Sequence, residues 1–413
     1  MLSNVHKVVH NHTILFYFSL LIGLIRYFPP IVSSITGYTF VLLSVIRLLY
    51  NKKKIHIHSI EIPIYVTIFV FFILSLMSNE YTLAVFLASC QLIVINYAVL
   101  LNEDIKYAEY FQKFMSILEK TIYIGITYSA LLLSFGQLQL IDGRWINFLF
   151  FSFINQEAHG IAGELGYSSF FTNPNPFAFF IAVVLLWKIV NFEERKLISY
   201  SQILLLFLGL RIADSRAGDI CSVIALLVVI YFKYNSVRIR KSLFVVSLVS
   251  VIVLLFSYFN EFLYIINNID LAGRTEKWEL LISGFYDSPI IGNGYSSSTK
   301  SILKNVSVGT FSSYLTIMAE EGLIGLVCVT LSYLYIIFKM VSLYNNSRNL
   351  MCLFAITYTI QLGVLGIVED VWFNVTSRFL FFLVVIKVAY YSYQCEKISN
   401  SKHNVNLTRC DNE

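Results

Sequence analysis

Residues 350–394 read LMCLFAITYTIQLGVLGIVEDVWFNVTSRFLFFLVVIKVAYYSYQ. The stretch 350–368 carries no charge and, at about 1.5 Å per helical residue, reaches across the roughly 30 Å of a hydrocarbon core. A polar turn holding Glu369 and Asp370 follows, and a second apolar run covers 375–394. Lipid offers backbone groups no hydrogen bonds, so such runs read as helices that satisfy themselves internally. The pair is therefore a candidate helical hairpin through a bilayer.

The same pattern extends along the chain. Apolar runs fall at about 13–28, 31–50, 60–78, 82–101, 121–138, 177–190, 198–213, 219–233, 243–259, 313–338, 350–368 and 375–394, giving about twelve spans. With 57% hydrophobic and 13% charged residues and a mean hydropathy of +0.71, an ordinary soluble domain is excluded. No segment shows the ten-residue alternation of a membrane barrel, so the expectation is an all-α polytopic membrane protein. The first run has no small-residue cleavage site after it and reads as a retained span. Residues 1–394 form one membrane domain in this reading and 395–413 a cytoplasmic tail.

Lys and Arg set the orientation. With a cytoplasmic amino terminus, 21 of the 30 basic residues fall inside, a positive-inside bias that accounts for the net charge of +5 without a nucleic-acid partner. Among the nine outer ones, six are Arg (Arg26, Arg144, Arg211, Arg216, Arg274 and Arg378), whereas the inner set holds fifteen Lys. Arg is favoured where a planar fork grips phosphate or carboxylate oxygens. The six cysteines avoid the outer loops and form no CxxC or Cys/His cluster, so neither a disulfide frame nor a metal site is expected.

Two outer connections, about 139–176 and 260–312, are much longer than the others, which marks them for function. In the second, Trp278, Leu281, Ile282 and Phe285 recur at helical spacing. They predict a helix from Gly273 to about Phe285, lying on the outer leaflet with Trp278 as its anchor. Asp287-Ser288-Pro289 ends it, and Gly292-Asn293-Gly294 reads as a flexible turn. On the inner side, Tyr107, Phe111, Phe114 and Leu118 make a stripe that fits a surface amphipathic helix.

Four local patterns stand on the outer face. Asn173-Pro174-Asn175-Pro176 opens the sixth span, where Pro is also ordinary helix-start chemistry. Asp214-Ser215-Arg216-Ala217-Gly218 joins two spans; Ser215 or Asp214 suits a cap, but an Arg at the hydrocarbon boundary needs a partner or an anion. The third runs from Gly273-Arg274-Thr275-Glu276-Lys277-Trp278 to Ser288-Pro289-Ile290-Ile291-Gly292-Asn293-Gly294. The fourth is Ser313-Tyr314-Leu315 followed by Ala319-Glu320-Glu321-Gly322-Leu323-Ile324-Gly325.

In this order the four patterns, spanning about 170–326, resemble the O-antigen polymerase and ligase superfamily. The resemblance implies a glycosyltransferase of the bacterial inner membrane, multi-pass with both termini cytoplasmic, working on the outer face. Such an enzyme moves a glycan from an undecaprenyl-pyrophosphate carrier to an acceptor hydroxyl, with no cofactor and no metal. The family's paired arginines carry over onto Arg216 and Arg274 as pyrophosphate-binding, catalytic residues. Ligases usually read His-Asn-x-Tyr-Leu before the fourth pattern. Here the aligned residues are Phe311-Ser312-Ser313-Tyr314-Leu315, which favours a polymerase of O-antigen or capsule-like repeat units. The implied partners are lipid-linked glycans and membrane lipid, with a chain-length regulator protein as a further candidate.

Pyrophosphate is a good leaving group, so stabilising its charge is the main demand on the site. A base is harder to assign. Glu320 is the catalytic candidate, with Glu321 beside it. Asn173, Asn175, Tyr314 and Arg378 complete the expected substrate-binding set, in which Arg378 and the Glu369-Asp370 pair either line the cavity or pair with each other. His159 is the only outer histidine and reads equally as a solvated loop residue. Two other functions remain open at this point: a ligase moving finished polymer to a lipid core, and a lipid-linked-sugar flippase or transporter. Transporters tend to carry mid-span charges and inverted repeats.

Overall fold

The structure, a computed structural model, describes residues 58–78, 106–134, 174–192, 197–213, 215–233, 274–298, 302–303, 312–369, 371 and 377–410. It also describes short pieces of the long connection before residue 174, at 145–148, 151–154, 157–159, 164–166, 169 and 171. The expected spans at 13–28, 31–50, 82–101 and 243–259 lie outside the described residues.

Within them the architecture is helical. The helices are α1 (Ile62–Met77), α2 (Lys106–Ser134), α3 (Pro174–Val190), α4 (Leu197–Ala213), α5 (Arg216–Lys233), α6 (Arg274–Asp287), α7 (Ser313–Ser347), α8 (Leu350–Val368) and α9 (Ser377–Cys410). By length and composition α7 and α8 are each able to cross a membrane. The long connection before α3 adds two antiparallel hairpins that an all-α reading did not anticipate: β1 (Trp145–Phe148) with β2 (Phe151–Ile154), and β3 (Glu157–His159) with β4 (Glu164–Gly166). The apolar stretch Asn147–Ile154, too short to span, is a hairpin because its aromatic and β-branched residues suit two short strands joined across two positions.

Helix α3 lies at the centre, apolar all round and buried almost throughout, against α2, α4, α5 and α8. Outer helices show the opposite pattern. On α7, Leu323, Val327, Leu331, Leu334 and Phe338 stand exposed at three- and four-residue spacing, as do Ile62, Val66, Phe69 and Ile73 on α1. Exposed apolar stripes of this extent fit contact with lipid.

Three expectations for the end assigned to the cytoplasm change. Helix α2 is one continuous 29-residue element that enters the core, not a separate surface helix followed by a span. Phe111 is fully buried, with ring centroids 5.7, 5.9 and 6.0 Å from Trp187, Phe354 and Phe381, because its stripe continues in register with that of the span. Helix α7 continues to Ser347, well past the expected end near 338. It stops where Arg348 adopts φ 58°, and Asn349 then caps α8 by accepting from the Met351 N–H at 2.8 Å. Helix α9 likewise runs through position 395 without a break.

The bundle has two chemically distinct ends. One gathers the groups expected inside: Lys188 pairs with Glu119 at 2.6 Å and Lys387 with Glu61 at 2.6 Å. Lys233 Nζ donates to the Val190 carbonyl at 3.2 Å, and Asn349 to Ser392 at 2.9 Å. The other end gathers the motif residues.

Candidate functional site at the motif end of the bundle

Helix α7 is two helices in one. At Gly322 the backbone turns to φ 63°, ψ −163°, outside the range of any helix. The break frees carbonyls above it and N–H groups below it, and the segment after α6 meets both sets. Asn293 N–H donates to the Ala319 carbonyl at 3.0 Å and Gly294 N–H to the Glu320 carbonyl at 2.8 Å. Leu323 and Ile324 N–H groups donate to the Pro289 and Ile290 carbonyls at 2.9 and 3.3 Å. Asn293 Nδ2 adds bonds to the Gly284 carbonyl at 2.6 Å and the Ala319 carbonyl at 3.0 Å. A Cβ at Gly322 would overlap the Ile290 carbonyl, and one at Gly292 (φ 74°) the Glu320 carbonyl.

The third and fourth sequence patterns are thus structural partners: Ser288–Gly294 is shaped to cap a broken helix. The expected flexible turn at Gly292-Asn293-Gly294 is instead pinned, since two carbonyls and two N–H groups at the break find partners in residues 289–294. Interrupted helices within a membrane are tolerated where protein satisfies them in this way.

Helix α6 forms as expected, but its stripe divides. Leu281 is fully buried with Leu303 and Ala319, whereas Ile282 and Tyr286 stay exposed. Trp278 does not act as a headgroup anchor, because its Nε1 is buried with no hydrogen-bond partner among the described residues. An anchoring Trp keeps that N–H wet.

Both candidate carboxylates sit at the break and are buried. Glu320 Oε1 accepts from the Ser298 hydroxyl and, at 3.3 Å, from its N–H. Glu321 is 1% exposed and lies beside the Ser75 hydroxyl of α1. That hydroxyl accepts from the Tyr295 N–H at 3.2 Å, tying α1 to the loop.

About 10 Å higher along α7, counting seven residues at 1.5 Å each, lies a second polar cluster. Asn175 Nδ2 donates to Glu369 Oε1 at 3.1 Å, and the Ser215 hydroxyl donates to Asn175 Oδ1 at 2.8 Å. Arg378 Nη1 pairs with Glu369 Oε2 at 3.3 Å, and its guanidinium lies 5.2 Å from the centroid of the Phe179 ring. Ser313 donates to the Glu369 carbonyl through its N–H (3.1 Å) and its hydroxyl (3.0 Å), while Val371 N–H donates back to that hydroxyl at 2.6 Å. Tyr314 donates to the Gly363 carbonyl at 2.8 Å.

The expected site residues therefore divide as follows. Asn175, Tyr314 and Arg378 come together with Ser215 at one end of the bundle, and Glu320 and Glu321 sit at the break below Ser313. Arg216 is the first residue of α5 and Arg274 the first of α6; the structure describes their backbone and not their side chains. Asn173 lies outside the described residues. His159 is paired in register with Glu164 across the β3–β4 hairpin. The hub is Glu369: its pairing with Arg378 was one of the two expected alternatives, whereas its bonds to Asn175 and Ser313 were not anticipated. Its signal was a carboxylate closing an uncharged span, a costly position unless partnered.

A helical bundle with two helices able to cross a membrane, an interrupted helix and a polar cluster at one end defines the class of protein. A family model described as O-antigen ligase matches residues 202–330, which is 129 of the 413. The matched region holds α4, α5, α6 and the upper part of α7 with its break. This agrees with the resemblance carried by the four patterns, and supports a part in polysaccharide or lipopolysaccharide biosynthesis for a glycosyltransferase-like membrane protein. No curated protein matches the chain.

Proposed function

We propose that this protein is a polymerase that joins lipid-pyrophosphate-linked oligosaccharide units on the outer face of the bacterial inner membrane. Arg216 and Arg274, each opening a helix, hold the donor's pyrophosphate. Helix amino termini favour anions, and Arg adds a fork of donors that stays charged. The acceptor oxygen of the next unit attacks the donor's anomeric carbon as its proton leaves to a base. The bond to the pyrophosphate oxygen breaks, and the carrier departs as lipid pyrophosphate. The carboxylates at the α7 break are the candidate proton acceptors. Glu320 is engaged by Ser298, and Glu321 lies almost fully buried beside the Ser75 hydroxyl of α1.

The observation that carries this reading is the convergence of Asn175, Ser313 and Arg378 on Glu369, with Ser215 joined through Asn175, at the end where α5 begins with Arg216. Polymerase is preferred to ligase because Phe311-Ser312-Ser313-Tyr314 carries no His. The deciding experiment is deletion of the gene with analysis of surface polysaccharide. Loss of a polymerase leaves acceptor capped with a single repeat unit. Uncapped acceptor with carrier-linked polymer would instead establish a ligase, and subunits trapped on the inner face a flippase.

A further inference from the structure

We propose that Glu369 is a positioning residue that fixes the amino terminus of α5, and through it Arg216; the consequence for catalysis rests on the donor-binding role given to Arg216 above. Each acceptor of Glu369 goes to a different element. Oε1 takes the Asn175 amide of α3, Oε2 the Arg378 guanidinium of α9, and the backbone carbonyl the N–H and hydroxyl of Ser313 on α7. Asn175 then relays the order onward. Its Nδ2 is committed to the carboxylate, so Oδ1 is left facing the Ser215 hydroxyl, which it accepts at 2.8 Å.

Ser215 is 2% exposed and directly precedes Arg216. Its carbonyl accepts the Asp219 N–H at 3.0 Å, the first helical bond of α5. One turn further, Gly218 packs on Ala178 of α3 so closely that a Cβ there would overlap the Ala178 methyl. The start of α5 is thus fastened to α3 twice, once by packing and once by the relay. Only the relay senses the α8–α9 turn.

A carboxylate is needed at the hub because it must accept from an amide and an arginine at once. Arg378 is 8% exposed and would be left without its counter-charge if Glu369 were removed. Glu369→Ala therefore also disturbs the fold locally. Asn175→Ala is the cleaner variant, since it keeps the Glu369–Arg378 pair while cutting the branch toward Ser215.

The test is amide hydrogen exchange, read by mass spectrometry on the full-length protein in lipid nanodiscs. Both variants are expected to speed exchange at 215–219 by about tenfold, the worth of one net hydrogen bond. A peptide covering 349–353 at the opposite end should be unchanged. Exchange at 215–219 within twofold of wild type in both variants overturns the proposal. Turnover of a lipid-pyrophosphate-linked donor supplies the functional arm. If Glu369 acts through Arg216, adding Asn175→Ala to Arg216→Ala costs less than about twofold more, whereas an independent contribution multiplies. Altered exchange together with normal turnover by Arg216→Ala would leave the positioning role standing and remove the donor-binding reading.

Discussion

Replacing Gly322 with Ala puts the interrupted helix to a quantitative test. At φ 63°, ψ −163°, position 322 occupies a region open almost only to glycine, and forcing another residue into it costs about 1–3 kcal/mol. The added Cβ also overlaps the Ile290 carbonyl, so the 289–294 segment must move away. That movement weakens the bonds from Leu323 to Pro289 and from Ile324 to Ile290, each worth about 1 kcal/mol. Together these give an expected loss of about 3 kcal/mol, at the upper end for a single substitution. Reversible unfolding in mixed micelles, titrated with a denaturing detergent, reads this directly. Leu331→Ala, on the exposed apolar face of α7, is the control and should cost far less. A Gly322→Ala protein within about 0.5 kcal/mol of wild type, the ordinary range of surface substitutions, would refute the account of the break.

Two further outcomes are expected. In a cysteine-free background, a membrane-impermeant maleimide added to intact cells should label Glu279→Cys, exposed on α6, and spare Lys397→Cys, exposed on α9; labelling of 397 would invert the topology. His159→Ala should keep substantial polymer synthesis, because the residue is a lone outer His in a loop hairpin. A loss of about 100-fold at normal protein abundance, the scale of an obligatory acid–base group, would show that it is the missing base.

The helical hairpin at 350–394 was legible because lipid imposes a length and a lack of charge that few other structures require. Helix α6 was legible from its spacing and its Asp287-Ser288-Pro289 end. The interruption of α7 was not, since Glu320-Glu321-Gly322, with no Pro, reads as a polar step within one continuous helix. Its cause lies thirty residues away, in the carbonyls of Pro289 and Ile290, and no periodicity connects the two. The same holds for Glu369. Its position at a span end showed that it needed partners, and Arg378, nine residues on, was one the sequence offered; Asn175, 194 residues distant, was not. Ser298 carried no signal, because its role depends entirely on where the loop returns to Glu320.

The central claim is that Arg216 and Arg274 hold a lipid-linked pyrophosphate while units are joined. Its most direct test is polymer synthesis by the purified protein in nanodiscs, supplied with a lipid-pyrophosphate-linked repeat unit and no nucleotide sugar. Wild type should yield a ladder of lengthening glycan with release of lipid pyrophosphate. Arg216→Lys and Arg274→Lys should each lose most of that rate, because the charge remains and the bidentate fork is gone. Ladders of near-normal length and rate from both Lys variants would contradict the account and reduce these arginines to interfacial charges.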